Sequence, residues 1–212
     1  MEDKVTLEFF HDPLCAWCYA MSPRVRRLVV DFPQLEVVHR GFALAPDPSA
    51  IEKIFGDKAM GRREILDHWR AANENDDGHR MKPDLMADQP FDYPWSLPPL
   101  LGCEAARQQG GDAAYWDYFD EIQKLHLTEC RNIVDAEVLA DCGTRVGLDS
   151  NLLMAAIADP AIQTLVEQDM ARAHVFGLRG VPALVLDGQL VAQGALSWTE
   201  LASNTQQVLG LL

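Results

Sequence analysis

The stretch "KVTLEFFHDPLCAWCYA", residues 4–20, decides how this chain begins to fold. Val5, Leu7 and Phe9 alternate, and Phe10 follows, so the segment reads as a strand entering a core. "HDPL" is a turn, with Asp and Pro as its punctuation. Helical patterning starts at Leu14 or Cys15 and continues to Phe32, with Val25, Leu28 and Val29 at helical spacing. Ser22-Pro23 predicts a kink within it, and Pro33 ends it. "LEVVHRGF", residues 35–42, is a second strand. Strand, helix and strand in this order predict a right-handed parallel crossover.

Beyond it the pattern changes. "ALAPDPSA" reads as a Pro-containing connection. Almost everything from residue 57 to 177 is helical. "GRREILDHWRAANEN" is one helix, and "DQPFDYPWSLPP" is an irregular aromatic bridge in which Ser96 is a candidate cap. "PPLLGCEAARQQG" is a helix closed by Gly110 or Gly111. "DAAYWDYFDEIQKLHL", "VDAEVLADCGTRVG", "SNLLMAAIA" and "PAIQTLVEQDMARAHVFG" follow as helices. Strands return in "PALVLDGQLVAQG", where Asp187-Gly188 signals a tight hairpin. A last helix begins at Ser197, and Glu200 three residues on completes a capping box. The expected architecture is α/β: a βαβ unit, a large all-helical insertion and a ββα unit. Residues 1–45 and 178–212 form the sheet-bearing domain. Residues 46–177 form the insertion, expected to have packing of its own because so long a connection is implausible as bare loop.

Bulk properties exclude some functions. The chain has 212 residues, 32 acidic and 18 basic, for a net charge of −14. Nucleic acid and anionic membrane are met by basic patches, so neither is an expected partner. No run approaches the roughly 18 apolar residues of a membrane span. "MEDKVTLEFFHD" has neither the basic nor the apolar region of a secretory leader, so the expected location is cytoplasmic. Five cysteines, Cys15, Cys18, Cys103, Cys130 and Cys142, are an odd count and do not read as a structural disulfide framework.

Cys15 and Cys18 admit three readings. Zinc would want a second C-x-x-C or a paired-histidine motif. Cys103, Cys130 and Cys142 stand alone and His11, His39 and His68 form no motif, so no metal is expected. Two small buried hydrophobes are a second reading. A dithiol–disulfide centre is the third. Residues i and i+3 of a helix sit about 5–6 Å apart at Cβ, a small adjustment from disulfide geometry. Cys15 falls in the first turn, where free N–H groups and the helix dipole stabilise a thiolate. Cys18 lies deeper and stays thiol-like. That asymmetry makes Cys15 the attacking sulfur and Cys18 the resolving one. Far along the chain, "RGVPALVLDG" places Val181-Pro182 at the entrance of a strand. A trans proline is tolerated there, whereas a cis one would bring backbone against the cysteine helix, free to pair with an extended substrate. Beside the cysteine pair, the cis form is expected.

These features together resemble the DsbA-like branch of the thioredoxin superfamily, and the resemblance spans essentially the whole chain. "DPLCAWCYA", "ECRNIVDAEVLADCGTRVGLD" and "GLRGVPALVLDGQLVAQGA" look more narrowly like its FrnE-type subgroup. The resemblance implies a thioredoxin fold with a helical insertion and thiol–disulfide oxidoreductase or isomerase activity. It implies Cys15 as nucleophile, Cys18 as resolving cysteine and Pro182 as the cis proline facing them. Ala16-Trp17 departs from the Pro-His of the periplasmic oxidant DsbA, and Cys130 stands where the subgroup commonly has glycine. The alternative is a glutathione-dependent small-molecule isomerase or transferase, since kappa glutathione transferases and hydroxychromene-carboxylate isomerases share the inserted architecture. Expected partners are protein or small-molecule thiols and disulfides, with no cofactor beyond glutathione as an optional co-substrate.

Other residues are candidates from position alone. His11 would assist the Cys15 thiolate or lie in a solvated turn. Trp17 and Val181 would touch substrate. Phe91, Tyr93 and Trp95 would line an apolar groove with Trp17, or pack as core. Arg24, Arg26 and Arg27 read as a solvated helix face. Cys130 and Cys142 would be an accessory pair or free thiols, and Cys103 would be packing.

Overall fold

The computed structural model describes residues 4–211. Its sheet has four strands in the order β2-β1-β3-β4. β1 (Val5–His11) pairs in parallel with β2 (Leu35–Gly41), and the crossover between them is α1 (Ala16–Asp31). β3 (Ala183–Leu186) runs antiparallel to β1 and joins β4 (Gln189–Gln193) in a hairpin. Asp187 (φ 48°) and Gly188 (φ 75°) both take the left-handed conformation that a two-residue hairpin turn requires. α9 (Trp198–Val208) closes the chain behind the Ser197–Glu200 capping box.

Period-two alternation in β1 divides its side chains between two faces. Leu7 and Phe9 join the main buried cluster with Cys18, Val25 and Leu28 of α1. Phe10 packs with Ala173, Ala183 and Val185 on the other face. Glu8, on that second face, is buried and accepts from Arg172 at 2.7 Å and Arg40 at 2.9 Å. These pairs bolt β1 to β2 and to the last helix of the insertion.

α1 continues as one helix through Pro23. Proline has no N–H to give to the carbonyl four residues earlier. That carbonyl belongs to Tyr19, and Arg80 donates to it at 2.7 Å while stacking its guanidinium 3.9 Å from the Tyr19 ring. A side chain from the insertion thus replaces the lost backbone bond. Arg24 is also not solvated. It is 5% exposed and bonds Asn75, Asp77 and the Leu196 carbonyl. Arg26 is half-exposed beside Asp117 and Asp120, and Arg27 stacks on Trp198.

The insertion comprises α2 (Ala50–Phe55), α3 (Lys58–Asn75), α4 (Pro83–Ala87), α5 (Leu97–Leu127), α6 (Ala136–Arg145), α7 (Ser150–Ile157) and α8 (Pro160–Val175). α2 occupies part of what the sequence presents as a loop, and α4 is a single short turn of helix. α5 is two helices joined at Gly110 and Gly111, whose backbone is non-helical. Gly111 (φ 67°, ψ −160°) sits where only glycine is at ease. Gly102 before the break lies against Tyr118 after it, so the halves fold back on each other. The packing is shared rather than separate: one buried cluster contains Phe9 of β1, Cys18 of α1, Trp69 of α3 and Phe119 of α5. Both rim strands have a carbonyl already bound, His39 by Arg107 at 2.8 Å and Val191 by Asn204 at 2.8 Å.

Candidate active site

Cys15 is the N-cap of α1, one position ahead of the expected first turn. The free N–H groups of a helix start are satisfied by the capping side chain. Here that side chain is a sulfur: the Cys18 N–H donates to Cys15 Sγ at 3.1 Å. The Cys15 thiol in turn donates to the Val181 carbonyl at 3.5 Å. Val181–Pro182 is cis, and both residues adjoin the start of β3. The three residues Cys15, Cys18 and Val181 are therefore brought together across 166 positions of sequence. Cys18 is fully buried, and burial pushes its thiol well above the ordinary cysteine range, with the neighbouring Cys15 adding to the effect.

The turn that carries Cys15 is held from the insertion. Asp12 is buried, and its carboxylate accepts from Leu14 N at 2.9 Å, Leu44 N at 2.7 Å and Ser96 Oγ at 2.6 Å. Ser96, expected as a helix cap, makes no side-chain capping bond and holds Asp12 instead. Gln123 donates to the carbonyls of Cys15 at 3.1 Å and Asp12 at 3.4 Å. Ser96 and Gln123 would lie about 40 Å apart along a straight helix. Only the break at Gly110–Gly111 lets both reach one turn.

Burial, outweighing those hydrogen bonds, raises the Asp12 carboxyl to about 6. The sign of the linkage follows. Between the unfolded value near 4 and about 6 the folded state keeps a proton that the unfolded state has lost. Stability contributed by the protonated acid therefore declines as pH rises through that window, by about 3 kcal/mol at most. Denaturant titrations from pH 4 to 7 should show a shallower decline in Asp12→Asn than in the wild type, the remainder coming from other buried carboxyls such as Glu104, raised to about 7. The variant should also be less stable throughout, because an amide nitrogen, which accepts no hydrogen bond, would face either the Leu14 N–H or the Leu44 N–H and Ser96 hydroxyl that now donate to the Asp12 oxygens.

A groove of about 380 Å³ opens beside Cys15, between α1 and the α2–α3 pair. Trp17, Val181 and Tyr93 line it, as do Leu44, Ile54 and His68. Phe91 and Trp95 do not; both are half-buried against the core. His11 is likewise not on the groove wall. Its ring is fully buried, 3.1 Å from His39 and against Phe119. Burial drives both imidazoles well below the ordinary histidine range, so they are neutral. The expectation of a solvated turn histidine at position 11 is corrected: β1 alternation turns it inward with Phe9, where its Nε2 meets His39. Cys130 and Cys142 are separate buried thiols bonded to the carbonyls of Lys82 and Tyr118, and Cys103 is buried in α5. Among the described residues, no group of three His, Cys, Asp or Glu side chains could hold a metal ion. None of their helices is long and apolar enough to cross a membrane.

The family model of the DsbA-like thioredoxin domain matches residues 6–71 and 103–206. The chain belongs to the DsbA-like thioredoxin family. Within that family's fold, the cytosolic disulfide reductase DsbM of Pseudomonas aeruginosa superposes with a TM-score of 0.72 at 24% identity, covering 98% of this chain and 100% of that one. DsbM has also been solved with glutathione. A 2-hydroxychromene-2-carboxylate isomerase superposes with a TM-score of 0.69 at 15% identity, covering 98% and 99%. In sequence, the ClpXP adapter protein SpxH of Halalkalibacterium halodurans is 29% identical over 142 residues, 66% of this chain. The chain spans 44% of that adapter's length. The DsbA-like turn was legible as C-x-x-C. Asp12, Ser96, Gln123 and His68 were not singled out as site residues, although Asp-Pro after a strand is itself a signal for a side chain folded back on its own turn.

Proposed function

We propose that this protein is a thiol–disulfide oxidoreductase whose redox centre is Cys15-Ala16-Trp17-Cys18, working as a reductase or isomerase in the cytoplasm. The observation that carries this is the setting of the Cys15 sulfur, between the Cys18 N–H and the Val181 carbonyl. The N–H supports negative charge on the sulfur. The carbonyl loses its thiol donor when that sulfur enters a disulfide, and it becomes free to accept an N–H from an extended substrate. Cys15 thiolate attacks a substrate disulfide and forms a mixed disulfide; Cys18 then attacks Cys15 sulfur and releases the reduced substrate. The buried Cys18 is held as a thiol until that second step.

The groove favours substrates with apolar flanks. Among the described residues, its wall carries no lysine or arginine, which a glutathione, with two carboxylates, would engage. Cys18 likewise has no part in a glutathione-dependent isomerisation of a small molecule. The likeness to an adapter protein suggests a binding role without redox chemistry, and a variant lacking both cysteines separates the two.

Cys18→Ser is the decisive variant. With the resolving sulfur gone, the mixed disulfide at Cys15 cannot be cleared. Incubation with oxidised insulin or cell extract should give covalent adducts, seen on non-reducing gels and lost on adding dithiothreitol. Absence of adducts from Cys18→Ser, with full reductase activity retained, would refute the dithiol mechanism.

A further inference from the structure

We propose that His68 is the catalytic donor that receives the sulfur expelled from a disulfide under attack by Cys15; the proposal rests on the dithiol mechanism above. In that attack one S–S bond forms and another breaks, and the electron pair of the broken bond leaves on the distal sulfur. Negative charge therefore develops away from Cys15, inside the groove. Around it stand Leu14, Leu44, Ile51, Ile54 and Phe55, which offer an anion nothing in place of water.

Four side chains on the wall besides Cys15 carry a hydrogen-bond donor: Trp17, Trp69, Tyr93 and His68. Trp17 stands on the cysteine turn itself, and its indole N–H can donate a hydrogen bond but has no proton to hand over. Trp69 and Tyr93 are engaged with each other. Trp69 is 1% exposed, and its N–H donates to Tyr93 Oη at 3.0 Å. Tyr93 Oη is in turn 3.0 Å from His126 Nε2. Among the described residues, no hydrogen bond or ion pair engages the exposed His68 ring. The Trp69–Tyr93–His126 chain fixes the adjacent residue of α3 and so holds His68 at the rim. A space of 380 Å³ is near the small end of ligand cavities, so a disulfide seated on Cys15 has its leaving half within reach of the opposite wall. An imidazole N–H donates to the departing thiolate, and the protonated ring hands over its proton: imidazolium and thiolate become imidazole and thiol. No electron passes through His68, and water reprotonates the exposed ring.

The dependence on leaving group tests this. A basic alkyl thiolate needs the donor, whereas a weakly basic aromatic thiolate leaves without it. Dithiodipyridine and hydroxyethyl disulfide supply the two cases, both uncharged. For His68→Ala the rate constant with hydroxyethyl disulfide should fall about ten-fold, equivalent to 1.4 kcal/mol. With dithiodipyridine it should change less than about two-fold, and the Cys15–Cys18 potential should not move. His68→Gln, which keeps an N–H donor, should recover part of the loss. An equal loss on both substrates, or none on either, overturns the assignment. A wild-type protein inert towards both disulfides would instead reject the dithiol mechanism, and His68's role with it.

Discussion

Replacing Cys15 with serine is expected to abolish insulin reduction, with a loss of at least about 10³-fold in rate. A hydroxyl is far less acidic than a thiol, so at neutral pH it supplies almost no anion to attack a disulfide. The fold should not suffer. Serine is among the preferred N-cap residues, and its oxygen can take over the bond that Cys15 Sγ accepts from the Cys18 N–H. Activity and stability should therefore separate: near-zero insulin reduction, followed by turbidity, with a melting temperature within about 2 °C of wild type. Retention of more than a tenth of the activity would remove Cys15 from the chemistry. A parallel fall in melting temperature would instead mean that the sulfur acts as scaffold.

The second large effect is structural. Gly102 stands where the halves of α5 cross, and a Cβ there would lie 2.4 Å from Tyr118 Oη and 2.7 Å from ring atoms. Tyr118 is fully buried and its hydroxyl donates to the Leu139 carbonyl at 3.2 Å, so it cannot step aside freely. Alanine normally gains about 1 kcal/mol over glycine in a helix. Here overpacking should reverse that sign, for a net loss of about 2 kcal/mol. In a chain of this length that lowers the melting temperature by about 4–8 °C. Because Ser96 and Gln123 hold the Cys15 turn from opposite ends of α5, Gly102→Ala should also slow disulfide reduction. A variant as stable as wild type would show that the two halves have slack between them.

Much of the fold was legible because its signals are local. Alternation in "VTLEFF", Asp187-Gly188 and the Ser197–Glu200 box each act within a few residues, and each forms as expected. The Gly110–Gly111 break was legible as a helix end. That the halves fold against each other was not, because the contact of Gly102 with Tyr118 is tertiary. The C-x-x-C turn and the cis peptide bond beside it could be read from Cys15, Cys18 and Pro182. The turn's supports could not, because Gln123 and Ser96 reach it from the insertion, far along the chain. His11 and Arg24 show the opposite error. Each looks like a surface residue by type, yet His11 is buried among aromatic rings and Arg24 by a network of three partners. Shared packing has the same origin: a helical pattern announces an apolar face without saying which element will cover it.

The bonds from Arg107 to His39 and from Asn204 to Val191 carry one more consequence. A sheet whose outermost strands offer bare amide groups invites annexation by neighbouring chains. On both flanks of this sheet an arriving strand would first have to evict a side chain. Under the proposed mechanism, a polypeptide substrate would dock by backbone at the Val181 loop without also zipping onto the margins, so that client and catalyst part once the sulfur exchange is done.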